Sequence, residues 1–259
     1  MSNPLSSELL CELLPAGINP VVFDSLPSTS TYLREQASLG IPVHTLVVAS
    51  SQTDGRGRFG RKFFSPPDTG VYFSILLRPA PENDTATMIT IAAAQACAEA
   101  CEAVFHTPAE IKWVNDVLVN GQKAVGILAE AFTDGDFFVI LGIGANIVPP
   151  EGGFPPELPN AGAFISPAGA AAGLRERYVA ETITRLLDYL ENSDSAALVS
   201  SYRARVKMTG KTVIVTKGSE QFTATVIGVD DEAHLVVSRP DGSTHHLSYG
   251  EVTLHNENI

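Results

Sequence analysis

The apolar positions of the chain fall into short β-rich runs separated by polar turns, interrupted by longer stretches with helical character. Val21–Phe23 and the runs at 45–50 and 71–77 read as strands. Ser28 to Gln36 reads as a helix start, its hydroxyl side chains available to the first unpaired N–H groups. An Ala-rich stretch over 84–105 predicts a long helix, with residues small enough to pack closely on a sheet. Glu110–Asp116 precedes a hairpin in which Val117–Val119 pairs with Ala124–Glu130 through Asn120-Gly121, a strong two-residue turn signal. A strand over 137–147 follows the turn at Asp134-Gly135, a Pro/Gly-rich loop covers 149–169, and helices are expected at 173–191 and 195–206.

From Gly210 the character changes. Short β-rich segments at 212–216, 221–228, 234–238 and 244–248 are split by Lys217-Gly218, Asp230-Asp231 and Asp241-Gly242, the spacing of a small antiparallel barrel. Hairpins mixed with helices upstream imply an α+β protein rather than a doubly wound sheet. The expected organisation is a tail or short helix at 1–19, a main domain at 20–208 and a barrel at 209–259.

Composition narrows the class without setting the function. With 259 residues, 44% hydrophobic and 18% charged, the chain is long enough to bury a full core. A net charge of -12 argues against a broad nucleic-acid footprint, which needs a basic face. Cys11, Cys97 and Cys101 make no disulfide framework, and the last two fit small buried groups on the Ala-rich helix. His245 and His246 fall on opposite faces of a strand and read as solvated. The first residues lack a basic signal region and no run of eighteen apolar residues occurs, so the expectation is a cytoplasmic protein without a membrane span.

Against this acidic background, four of the seventeen basic residues cluster within seven positions: Arg56, Arg58, Arg61 and Lys62, set among Gly55, Gly57 and Gly60. Glycines there let the backbone approach a ligand, so the segment reads as a cationic lid for a small anion such as phosphate or carboxylate. The same glycines fit G-x-G-x-x-G, the dinucleotide fingerprint. That motif needs a helix directly after it, and Pro66-Pro67 stand in the way. Lys112-Trp-Val-Asn-Asp116 gathers a cation, an amide and a carboxylate around one aromatic, which an ordinary strand end also explains. Lys123 opens an apolar strand, and so either snorkels or faces a site. Gly142-Ile-Gly-Ala-Asn146 sets an amide beside two glycines, as tight backbone packing also would.

Taken in order, G-R-G-R-x-G-R at 55–61, K-W-x-N-D at 112–116, K-x-x-G-I-L-x-E at 123–130 and G-I-G-x-N at 142–146 resemble the biotin–protein ligases. Ser28-Thr29 and the terminal Gly250-Glu251-Val252 fit the same pattern, and the resemblance covers about residues 20–256. It implies a class II synthetase-like catalytic domain, a mixed sheet flanked by helices as in the biotin and lipoate ligases, followed by an SH3-like β-barrel. It implies MgATP-dependent activation of biotin to biotinyl-5'-AMP, then transfer to a lysine of a biotin carboxyl carrier protein. By the same carry-over Lys123 and Arg58 are catalytic. Ser28, Thr29, Ser30, Gln52, Arg56, Gly57, Arg58 and Lys123 meet biotin. Arg58, Asn115, Asp116 and Asn146 serve ATP, and Asp116 serves Mg2+.

Three departures stand out: Ser30 where the family commonly has Asn, Val114 where it has Pro, and His255 where some relatives carry an ATP-contacting Arg. Only about nineteen residues precede the first expected strand, too few for a helix-turn-helix, so a stand-alone ligase without specific DNA binding is expected. Edge strands are compatible with a homodimer. The competing readings are a lipoate or octanoate ligase of the same fold, and a biotin-binding protein without turnover.

Overall fold

The structure, a computed structural model, describes residues 4–82, 84–248 and 251–254. In chain order these form α1 (Ser7–Leu13), β1 (Asn19–Leu26), α2 (Thr29–Ala37), β2 (Thr45–Gln52), β3 (Gly70–Leu77), α3 (Thr85–Phe105), β4 (Glu110–Lys112), β5 (Asp116–Val119), β6 (Gln122–Asp134) and β7 (Asp136–Asn146). Next come α4 (Leu174–Asn192), α5 (Ser195–Arg205), β8 (Thr212–Lys217), β9 (Glu220–Val229), β10 (Leu235–Ser238), β11 (Thr244–Leu247) and β12 (Glu251–Leu254).

The first seven strands make one mixed sheet in the order β1-β2-β3-β7-β6-β5-β4, with β1 parallel to β2 and the other pairs antiparallel. Strand β3 is buried throughout, as its near-continuous apolar run Gly70–Leu77 requires of a strand covered on both faces. Helix α3 is long and apolar enough to cross a membrane by composition alone. It is instead the core helix, packed against β6, α4 and α5, which explains why it carries no charge before Glu99. Its Cys97 and Cys101 are free and buried, and burial pushes both thiols up to about 12.

The segment before β1, read as a tail or short helix, is the short helix α1: Leu10 is fully buried, and the Ser6 N–H donates to Glu176 Oε1 on α4 at 2.8 Å. One expectation changes. His246 is not simply solvated. Its Nδ1 lies 2.6 Å from Asp230 Oδ2, and His234 Nδ1 lies 3.3 Å from the same oxygen, because the β9–β10 turn folds back beside β11. Burial works against the Asp230 carboxylate, but the His246 hydrogen bond and two backbone N–H groups outweigh it and hold its pKa below the ordinary value.

Strands β8–β12 form a five-stranded antiparallel sheet in the order β11-β10-β9-β8-β12. The fifth strand was not anticipated, because Val252-Thr-Leu254 is too short a run to stand out. This small unit is seated on the main sheet by Trp113, whose indole N–H donates to the Ala233 carbonyl at 2.9 Å. The Trp113 N–H meets Met208 Sδ at 3.2 Å, and the Tyr202 hydroxyl donates to the Val114 carbonyl at 3.0 Å.

Candidate active site

A cavity of about 340 Å³ opens between the 52–66 segment, the β5–β7 face of the sheet and part of the 149–169 loop. Ser28, Thr29, Ser30, Gln52, Arg56, Gly57, Arg58, Asn115, Asp116, Lys123 and Asn146 all line it, although more than a hundred positions separate the first from the last. Val252 reaches it from β12, so the small C-terminal sheet closes one side. His255 and Gly250 lie outside the described residues.

The glycine-arginine segment folds as a tight hairpin, without the helix a dinucleotide site needs. Arg56 bridges Lys62, the Gly57 N–H donates to the Arg61 carbonyl at 2.8 Å, and the Phe63 N–H donates to the Gly55 carbonyl at 2.8 Å. Gly55 is required by proximity: a Cβ there would stand 2.5 Å from the Phe63 carbonyl oxygen. The hairpin is clasped to the sheet at two points. Arg56 pairs with Glu130 on β6 at 2.8 Å, and Arg58 Nη1 donates to Asn115 Oδ1 at 3.1 Å. Asn115 is held in turn, its amide N–H donating to the Ile127 carbonyl at 2.8 Å.

Phe63, the aromatic after the arginines, lies over the cross-strand pair Gly126–Gly144. A Cβ at Gly126 would stand 2.7 Å from its ring and one at Gly144 2.4 Å, so these two motif glycines make the flat floor on which the ring rests. Lys123 Nζ sits 5.9 Å from the centre of the same ring.

The two ends of the cavity differ in chemistry. At one end the Thr29 N–H and hydroxyl both donate to Gln52 Oε1, at 2.9 and 3.2 Å. Gln52 Nε2 donates to Ser65 Oγ at 3.1 Å. Ser28 caps α2, its Oγ accepting from the Thr31 N–H at 3.4 Å. Ser28, Thr29 and Ser30 are nearly inaccessible, so this end is a dry, polar recess. At the other end Lys123 and Asp116 form an ion pair at 2.6 Å, on either side of the β5–β6 hairpin. The Lys123 backbone is fixed by the loop: its N–H donates to the Asn160 carbonyl at 2.7 Å and its carbonyl accepts from the Gly162 N–H at 2.8 Å. Asn146 has a structural task as well, its amide N–H donating to the Gly162 carbonyl at 3.0 Å.

The arrangement can hold a ligand with a neutral polar head and an anionic tail. Two unit charges 4 Å apart interact by about 4 kcal/mol at an effective dielectric near 20, so cations here can offset most of the repulsion between two anionic reactants. Phe63, Glu130 and Ser74 escape a reading of the sequence. Phe63 and Glu130 stand in or beside the motifs, but an aromatic and a carboxylate give no hint of their partners. Ser74 lies in the middle of an apolar strand, where nothing local distinguishes it.

Comparison with known proteins gives the chain's family and fold. Residues 22–146 match the biotin/lipoate A/B protein ligase family, and residues 209–254 match the biotin protein ligase C terminal domain. The bifunctional ligase/repressor BirA of Bacillus spizizenii is 33% identical, over 85% of this chain and 69% of its own. The biotin–[acetyl-CoA-carboxylase] ligase of Mycobacterium tuberculosis is 30% identical, over 87% of this chain and 85% of its own. A solved biotin protein ligase from Aquifex aeolicus, in complex with biotin and ATP, shares the fold with a TM-score of 0.76 at 24% identity, covering 92% of this chain and 98% of that one. Mixed sheet, cation-rich cleft and small C-terminal sheet together define a ligase of the biotin/lipoate class. Within that class, the chain belongs to the biotin protein ligases.

Proposed function

We propose that this chain activates biotin with ATP and transfers it to a lysine of a biotin carboxyl carrier protein, with the residues of the cavity in the following roles. The observation that carries the reading is the two-ended cavity, with hydroxyls and an amide at one end and Arg58 and Lys123 at the other. Its volume of about 340 Å³ suits a small organic acid. Ser28, Thr29, Ser30 and Gln52 take the ureido ring, and Phe63 covers it. The valerate carboxylate then extends toward Lys123.

In the first step a carboxylate oxygen attacks the α-phosphorus of ATP. The new P–O bond forms as the bond to the β-phosphate breaks, and pyrophosphate leaves with that electron pair. Lys123 stands between the two anions, and Arg58 with the hairpin stabilises charge that builds in the transition state. Gly57 lets the hairpin backbone lie close to the ligand, and Arg56 locks it down through Glu130. In the second step the neutral amine of the acceptor lysine attacks the acyl carbon, AMP leaves, and the amine proton is released. A closed hairpin keeps water from the mixed anhydride meanwhile.

Asn115 and Asn146 serve the nucleotide side. Mg2+ held with phosphates needs only one or two protein carboxylates, and Asp116 on the cavity wall fits that requirement. Bound there, the ion would neutralise phosphate charge. Residues 20–208 as the catalytic unit and 209–259 as an SH3-like unit complete the proposal.

The test is ATP–pyrophosphate exchange with biotin, lipoate or octanoate as the acid. Exchange with biotin alone is expected. Exchange driven by lipoate or octanoate would move the chain to the sister activity, and binding of biotin without exchange would make it a binding protein.

A further inference from the structure

The floor of the polar recess contains a serine that belongs to none of the sequence motifs. Ser74, at the middle of β3, is fully buried, and its Oγ lies 2.7 Å from Thr29 Oγ1 and 2.9 Å from Ser30 Oγ. Each hydroxyl has one hydrogen to give, so the direction of these contacts can be worked out from the fixed end of the chain.

That end is Gln52. The Thr29 N–H, an unpaired donor in the first turn of α2, faces the Gln52 amide at 2.9 Å and requires an acceptor there. The Gln52 oxygen must therefore be the atom facing Thr29, which leaves its N–H group to Ser65 Oγ. The Thr29 hydroxyl meets the same oxygen at 3.2 Å and can only donate to it. Its single hydrogen is spent, so in the 2.7 Å contact with Ser74 it accepts and Ser74 donates. Ser74's hydrogen is then spent too, and the 2.9 Å contact with Ser30 must run from Ser30 to Ser74. The chain reads Ser30→Ser74→Thr29→Gln52, in one direction only.

The consequence falls on the cavity. With their hydrogens turned inward, Thr29 and Ser30 offer only lone pairs to a ligand. Ser28 is the opposite case: its Oγ already accepts from the Thr31 N–H, and among the described residues its hydrogen is left for a ligand. One donor beside two acceptors is the complement of a cyclic urea, whose carbonyl is flanked by two N–H groups. Gly142, across from Ser74 on β7, keeps the pair in place: a Cβ there would stand 2.6 Å from Ser30 Oγ.

We infer that Ser74 is a specificity-determining positioning residue, which fixes Thr29 and Ser30 as acceptors and so selects an acid whose ring carries N–H donors. This rests on the proposed biotin activation. A dithiolane or alkyl chain would leave the remaining lone pairs of Thr29 and Ser30 buried without a donor, a loss hydrogen-bonding sites use to reject analogues. Ser74 touches no reacting atom, so it acts on recognition and not on the chemical step.

The experiment measures exchange kinetics of the wild type, Ser74→Ala and Ser74→Cys with biotin and with ATP varied separately. In Ser74→Ala the KM for biotin is expected to rise about tenfold, with kcat and the KM for ATP near wild type, as for lost uniform binding. Ser74→Cys keeps only a weak donor, and its biotin KM is expected to rise about three- to fivefold. A biotin KM within twofold of wild type in either variant overturns the inference. If Ser74→Ala does not fold, the biotin KM of Ser74→Cys decides by the same twofold limit. A wild type without biotin-dependent exchange would instead sink the underlying activity, and this inference with it.

Discussion

At the scale of the residue, the cavity is built by close approach as much as by charge. Lys123 is half-buried, anchored by its backbone to the loop and paired with Asp116 at 2.6 Å. Its ammonium is placed by structure on both sides. Lys123→Ala is expected to cut biotin-dependent exchange by about 10²-fold or more, the scale of removing one preorganised electrostatic contact, with the melting temperature little changed. Wild-type turnover in that variant would remove Lys123 from the mechanism. Gly144 is the complementary case. Its added Cβ would stand 2.4 Å from the Phe63 ring, against a strand that cannot yield, so Gly144→Ala must displace the ring. Overpacking of this kind costs about 1–3 kcal/mol. The expected result is a lower melting temperature together with weaker biotin binding; loss of neither would show that Phe63 moves freely.

At the scale of the element, α3 illustrates how an apolar helix is tied to its neighbours by a few charges. Glu102 on α3 accepts two hydrogen bonds from Arg205 at the end of α5, at 2.6 and 2.9 Å. Those bonds, above all, hold the Glu102 carboxyl below its ordinary value of 4.5 despite partial burial. Because the folded pKa is depressed, the unfolded chain takes up the proton first. The stability this pair contributes is complete above the ordinary carboxylate value and is lost as pH falls through the folded one. Glu102→Gln should therefore melt lower than wild type at neutral pH and converge with it in acid. Melting curves that stay parallel from about pH 7 to about pH 3 would show that the pair contributes nothing.

At the scale of the whole molecule, the small C-terminal sheet is docked by Trp113, one residue after Lys112 in the motif that also supplies Asn115 and Asp116. The cavity and the docking surface are thus two faces of one short segment. Trp113→Phe keeps the apolar ring but leaves the Ala233 carbonyl without its indole donor, at a cost of about 1–3 kcal/mol for a buried polar group. The expected readout is a lower melting temperature with a rise in the KM for ATP, since Val252 closes the cavity from the docked unit. An unchanged KM would mean that the C-terminal sheet stabilises the fold without shaping the site.

What the sequence determined by itself is whatever has a local cause. The Ala-rich helix, the Asn120-Gly121 hairpin and four of the five C-terminal strands were legible from periodicity and turn chemistry, and the cavity residues from motifs in a recognisable order. Tertiary structure alone decided the rest. Sheet order brings Ser74 of β3 under Thr29 and Ser30 of α2, and lays Phe63 on two glycines from different strands. It also folds the β9–β10 turn so that two histidines meet one carboxylate. Each of these contacts joins residues that the local pattern does not link. Neither partner carries a signature of the other, and the direction of a hydroxyl exists only once its neighbours are in place.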